Sequence, residues 1–236
     1  MAEARAGYAR PELLAESDWL QERMGDPGLR IVDCDTHDVY RRAHLPNAVG
    51  LPVHNYIKDA SNSVYVMPPD QFTALMGSLG ISNDTLVVTC DGFGSLSAAR
   101  FWWVMNYYGH TNVRILNGGF SKWLHEGRPI TQEVPALPPT TTFEPRVSPD
   151  LLCSLDYGKA CVGSEEVTFL DVRSEGEWTG ENTRGNQRGG HVPGAIHLEW
   201  LNFVTNDALR TIKPAQELRA MLKEAGVSPE REVVTY

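Results

Sequence analysis

The feature that most constrains this chain is that it repeats itself. Leu13-Leu14, Asp18, Trp19 and Asp33 align with Leu151-Leu152, Asp156, Tyr157 and Asp171 at a constant offset of 138. His44, Pro46 and Ala48 then match His191, Pro193 and Ala195 at 147. Residues 68–90 match 214–236 at 146 without a gap, with 7 of 23 positions identical, among them Gly80/Gly226, Ser82/Ser228 and Val87-Val88-Thr89/Val233-Val234-Thr235. One such block could arise by chance; three in the same order indicate a duplicated domain.

The copies differ in two places. From aspartate to histidine the first takes 11 steps (33 to 44) and the second 20 (171 to 191), so the second carries a nine-residue insertion, roughly 181–190. It is rich in Gly, Asn and Arg, the composition of a surface loop. The second copy also ends at Tyr236, which pairs with Cys90, where the first has about 40 residues still to run. The expectation is a second domain that stops before its active-site loop. Between the copies, residues 128–146 hold five prolines and a threonine run, which reads as an extended, stiff connector. The expected organisation is a domain over 1–128, a linker over 129–146 and a second domain over 147–236.

Each copy alternates short apolar runs with helical patterns. In the first, Ser17 is placed to cap a helix reaching Met24, and residues 30–33 form a buried strand ending on a carboxylate. Phe72, Leu75, Met76 and Leu79 fall at helical spacing with Gly80 as a stop. Residues 86–89 and 113–116 read as strands, and 95–108 and 120–126 as helices; the second copy repeats the order up to a strand at 232–236. Alternation of this kind implies the α/β class, an open parallel sheet covered by helices on both faces. Composition removes other classes. With 42% hydrophobic residues the chain can offset its ordering entropy, so disorder is not its main state. A net charge of −9 argues against nucleic acid, and no apolar run is long enough to span a membrane. Four cysteines without a CxxC pair make no disulfide framework, and the polar first 15 residues resemble no signal peptide. A reducing, cytoplasmic setting is expected.

In open α/β sheets, ligands sit beyond the carboxyl ends of the strands. Three features converge there: the strand-ending aspartates Asp33 and Asp171, the His-x-Pro turns at His44 and His191, and the strand-to-helix loop after Val-Val-Thr, which begins at Asp91 in the first copy. A helix N-terminus with inward amides stabilises an anion, and a cysteine on such a loop acts as a thiolate. Cys90 falls one position early and reads as a buried, inert thiol, with Asp91 facing the loop mouth. The acidic run 33–38 offers no metal site, because alternate side chains of a strand splay apart. His44 and His191 read as turn organisers, and Trp102, Trp103, Tyr107 and Tyr108 as core or interface aromatics.

Asp171-Val172-Arg173-Ser174, the run from Gly190 to Ala195 and Val233-Val234-Thr235-Tyr236 resemble the rhodanese (thiosulfate sulfurtransferase) pattern. The stretches 97–103 and 116–123 are similar to the amino-terminal half of tandem rhodaneses. The resemblance runs from about Leu13 to Tyr236. It implies a five-stranded parallel sheet per domain, a silent first copy with Asp91 at the nucleophile position, and an active second copy whose catalytic cysteine would directly follow Tyr236. It further implies transfer of sulfane sulfur from a small anionic donor such as thiosulfate to a thiophilic acceptor, cyanide or a thiol, through a cysteine persulfide and without cofactor or metal. A non-catalytic tandem module for binding or sulfur relay is the alternative. Asp171 and Tyr236 are expected to line the pocket. Relatives that use mercaptopyruvate carry two substrate arginines before the histidine; one corresponds to Arg184, the other falls at Glu177 and is absent, which favours thiosulfate.

Overall fold

The structure, a computed structural model, describes residues 7–53, 57–62, 65–136 and 139–236. It divides into two compact units. The first comprises Arg10–Leu151 with Asp207–Thr211; the second comprises Leu152–Asn206 and Ile212–Tyr236, with residues 7–9.

The first unit contains strands β1 (Leu14–Ala15), β2 (Leu29–Asp33), β3 (Ala48–Gly50), β4 (Leu86–Cys90) and β5 (Val113–Leu116). Its helices are α1 (Ser17–Gln21), α2 (His37–Arg42), α3 (Pro69–Ser78), α4 (Leu96–Tyr107) and α5 (Gly119–His125). All strand pairs are parallel, in the order β1-β5-β4-β2-β3. Because side chains alternate across a strand, neighbouring residues serve opposite faces. Val32 and Val87 join Phe72 and Met76 of α3 and Phe101 and Met105 of α4 in one core. Ile31 and Val88 join Leu20 of α1 and Trp123 of α5 in the other. The aromatic residues of α4 and its C-cap belong to the first core: Tyr108, the cap, is buried in it, and Trp102, Trp103 and Tyr107 pack against it. Ser17 is the first helical residue of α1 rather than its cap, which is Glu16, and the helix ends at Gln21.

The proline-rich connector is extended, and it lies on the first unit. Backbone bonds join His44 and Thr131 in both directions, Trp123 donates its indole N–H to the Pro129 carbonyl, and Arg146 donates to the Tyr108 carbonyl. Phe143 is 1% exposed and meets Phe72 edge to face. Gly77 makes room for it, since a Cβ there would stand 2.5 Å from the Thr141 carbonyl oxygen. Residues 137 and 138 of the expected linker lie outside the described residues.

The second unit repeats the plan with α6 (Leu155–Cys161), β6 (Val167–Asp171), α7 (Glu175–Thr179), β7 (Ile196–His197), α8 (Ala215–Glu224) and β8 (Glu232–Thr235). Its parallel sheet, β7-β6-β8, has three described strands and corresponds to β3-β2-β4 of the first. The register repeats to the residue. Asp33 faces Cys90, and the ladder from Leu170↔Thr235 continues to bring Asp171 beside Tyr236. Among the described residues, no helix is long and apolar enough to cross a membrane.

Candidate functional site

At the carboxyl ends of the strands, the backbones of the two copies match bond for bond. Cys34 N–H reaches Cys90 O at 2.8 Å as Val172 N–H reaches Tyr236 O at 3.1 Å. Each aspartate accepts from the amide two residues on, Asp35 N–H to Asp33 and Arg173 N–H to Asp171, both at 3.0 Å. The side chains at that second position carry opposite charge, and the two sites diverge from there.

In the first copy three carboxylates gather. Asp33 is buried, with its carboxyl pushed up to about 7 by burial and by the charges of Asp35 and Asp91. Asp35 rises to about 6, from burial and from Asp91, while its Oδ2 accepts the Gly92 amide at 2.8 Å. Asp91, and not the buried Cys90, points into the loop, as the sequence suggested, but it is only 1% exposed. The loop that follows closes around it. Oδ1 accepts from the amides of Phe93 and Ser95, both at 2.9 Å, and Oδ2 from those of Ser97 at 2.8 Å and Ala98 at 2.9 Å. The turn needs left-handed residues at Gly94 and Ser95 to aim these donors inward. Gly119 buttresses it from outside, where a Cβ would sit 2.0 Å from the Asp91 carbonyl oxygen. Cys34 and Cys90 are buried beneath, their thiols pushed well up by burial and by the surrounding carboxylates.

In the second copy Arg173 replaces Asp35. Its Nε donates to Asp171 Oδ1 at 2.9 Å, Nη2 bridges Asp171 Oδ2 and the Gly190 carbonyl, and the guanidinium lies 5.1 Å from the Tyr236 ring centre. Burial would raise the Asp171 carboxyl, but the Arg173 side chain and amide, with the Tyr236 hydroxyl, hold it below the usual range. Val192 N–H donates to the Tyr236 hydroxyl at 3.0 Å. Asp171 and Tyr236 therefore meet directly. Arg173, which ties them to the end of the insertion, is the residue that sequence reasoning passed over. The signal was present as Asp35 against Arg173 in the repeat alignment.

The insertion is a loop pinched at its base, where a Cβ on Gly180 would lie 2.8 Å from Gly190 N. Arg184 sits within it at a left-handed φ of 47°, its amide donating to Asn182 Oδ1 at 3.0 Å. Its Nε stands 3.2 Å from Glu177 Oε1, and the arginine side chain is 67% exposed. Arg184 is thus joined to Glu177 and not to Asp171 or Tyr236. His44 and His191 hold turns in the same way: each stacks on an aromatic ring (Tyr40, Trp178), and its Nδ1 meets that residue's carbonyl oxygen at 2.7 and 2.9 Å.

Two parallel α/β sheets with matched strand ends, one closing its loop on a carboxylate and the other ending on an Asp–Arg–Tyr cluster, define a tandem-repeat fold. The model of the rhodanese-like domain matches residues 16–126 and 154–236, and the chain belongs to that family. It is 36% identical over 241 residues to a protein named sulfur carrier protein TtuD from Thermus thermophilus, covering 98% of this chain and 84% of that one. It is 34% identical over 229 residues to the thiosulfate sulfurtransferase of Bos taurus, covering 89% and 76%. Among solved structures it is similar to SseA from Escherichia coli, described as a 3-mercaptopyruvate sulfotransferase, with a TM-score of 0.83 at 23% identity over 94% of this chain and 87% of that one. Relatives with these names place the chain among proteins that transfer or carry sulfur.

Proposed function

We propose that the protein is a sulfurtransferase that moves sulfane sulfur from thiosulfate, or a similar small anionic donor, to a thiophilic acceptor in a reducing cytoplasm. The observation that carries this reading is the Asp91 loop. A strand end in this register leads into a turn whose four amides enclose an anionic side chain. By the repeat, the residue directly after Tyr236 takes the Asp91 place. A cysteine there is stabilised as a thiolate, and its persulfide likewise.

The thiolate attacks the outer sulfur of thiosulfate; the S–S bond breaks with its electron pair leaving on sulfite, and a cysteine persulfide remains. Cyanide or a thiolate then takes the outer sulfur, and the electron pair returns to the cysteine sulfur as thiolate. Asp171 and Tyr236 line the pocket, and Arg173 keeps the buried Asp171 neutralised so that no free carboxylate opposes the anion. Arg184 offers its terminal nitrogens to the sulfonate-like end of the donor.

Charge-assisted bonds of this kind are worth about 1.5–3 kcal/mol, so Arg184→Ala is expected to lower kcat/KM for thiosulfate about tenfold to hundredfold. A cyanide–thiosulfate assay on the full-length protein, with thermal melting alongside, tests this. Wild-type kcat/KM in Arg184→Ala would remove Arg184 from the site. The relative named as a sulfur carrier favours a second reading, delivery to a protein thiol without turnover on cyanide. Stoichiometric persulfide with no multiple turnover would select it.

A further inference from the structure

Arg184 occupies a backbone conformation that disfavours every residue with a Cβ, next to Gly185, which would tolerate it. Such placement persists when the surroundings fix it, and here they do so at both ends of the residue. Asn182 Oδ1 accepts the backbone amide, and Glu177 Oε1 forms an ion pair with the side chain at 3.2 Å from Nε. Glu177 is itself anchored. It is 8% exposed, and its Oε2 accepts the Ser174 hydroxyl at 2.8 Å and, more loosely, the Ser174 amide at 3.4 Å, in a capping box at the start of α7. Its carboxyl, which burial would raise, is held low by Ser174 and by the charges of Arg184 and Arg173. An anchored, mostly buried carboxylate therefore pairs with an arginine whose side chain is otherwise exposed. The ion pair biases the guanidinium toward the Glu177 side, and among the described residues neither Nη group makes a hydrogen bond, so the pair is available for a two-pronged contact.

We propose that Glu177 is a positioning residue that aims the Nη pair of Arg184 at the anionic end of the sulfur donor. This rests on the reading of Arg184 as a donor-binding residue given above. The ordering cost of the arginine is met before the donor arrives, so the contribution of Glu177 is to ground-state and transition-state binding alike. It acts on KM and leaves kcat unchanged.

The experiment is steady-state sulfur transfer from thiosulfate to cyanide by the full-length protein and four variants: Arg184→Ala, Glu177→Ala, Glu177→Gln and the double Glu177→Ala/Arg184→Ala. Glu177→Ala is expected to raise KM about three- to tenfold at constant kcat. Glu177→Gln keeps a residue suited to the capping box but removes the charge that pairs with Arg184, and should show most of the same rise in KM. The double variant should be no worse than Arg184→Ala alone, because Glu177 has nothing left to aim. If Arg184→Ala impairs transfer but Glu177→Ala leaves KM at the wild-type value, or if the two effects multiply in the double variant, the positioning role is wrong and the donor-binding reading stands. If Arg184→Ala is itself without effect, the donor-binding reading fails and the positioning role goes with it. A loss in Glu177→Ala that Glu177→Gln fully restores would mark a helix cap and nothing more, and would overturn the proposal.

Discussion

Asp33 and Asp171 occupy the same place and answer to different neighbours. Burying a carboxylate raises its pKa unless an opposite charge or hydrogen bonds compensate, and only Asp171 has an arginine. Asp33, pushed up to about 7, instead shares its surroundings with two more carboxylates. Its folded value lies above the unfolded value of about 3.9. The stability tied to its protonation is therefore complete below about pH 4 and is lost as the pH rises through 7. Asp33→Asn keeps an acceptor for the Asp35 amide and removes the charge. It should raise the melting temperature at pH 8, through a gain of up to about 4 kcal/mol of stability, and change little at pH 4. Melting curves across that interval check this; equal melting temperatures at pH 8 would mean that the carboxylate is already compensated. The repeat alignment exposed the position but not its chemistry. What separates Asp33 from Asp171 is the partner two residues later, and a partner becomes visible only when burial shows that it is needed.

Elements were legible where periodicity and burial agree. β4, β5 and α4 lie within a residue, and α3 within three residues, of where their apolar spacing puts them, because each buries the stripe that its sequence displays. Boundaries that depend on a single hydrogen bond were less legible, as at Ser17, which starts α1 without capping it. The connector is the instructive case. Its prolines dictated extended backbone and said nothing of where that backbone would lie. The burial of Phe143 and the closeness of Thr141 to Gly77 place it against α3. Phe143→Ala is accordingly expected to cost about 3–5 kcal/mol, as truncation of a buried core aromatic does. A freely exposed linker residue would cost almost nothing, so chemical denaturation of the variant distinguishes the two. The insertion was legible as a loop from its composition, whereas its closure on Arg173 and Glu177 was not, because those contacts join residues of ordinary surface character.

At the scale of the whole molecule, the four cysteines sort by position. Cys34 and Cys90 lie under the first sheet's strand ends, Cys161 is half-buried and Cys153 is exposed. Burial, with Cys161 and Glu232 nearby, nevertheless raises the Cys153 thiol. Of these four, a disulfide reagent at pH 8 should modify Cys153 first and Cys161 more slowly, with Cys34 and Cys90 reacting only on unfolding. Peptide mapping after timed labelling checks the order, and rapid loss of Cys90 in the native protein would contradict it. The closed Asp91 loop has one more consequence, for what substitution could make of it. Four amides already committed to a built-in carboxylate leave that turn unable to greet a visitor. Exchanging Asp91 for cysteine would not by itself reopen it, because Asp33 and Asp35 would still surround the newcomer with negative charge. Turning this turn into a thiolate cradle would demand at least two coordinated changes, one to free the four amides and one to remove the flanking charge.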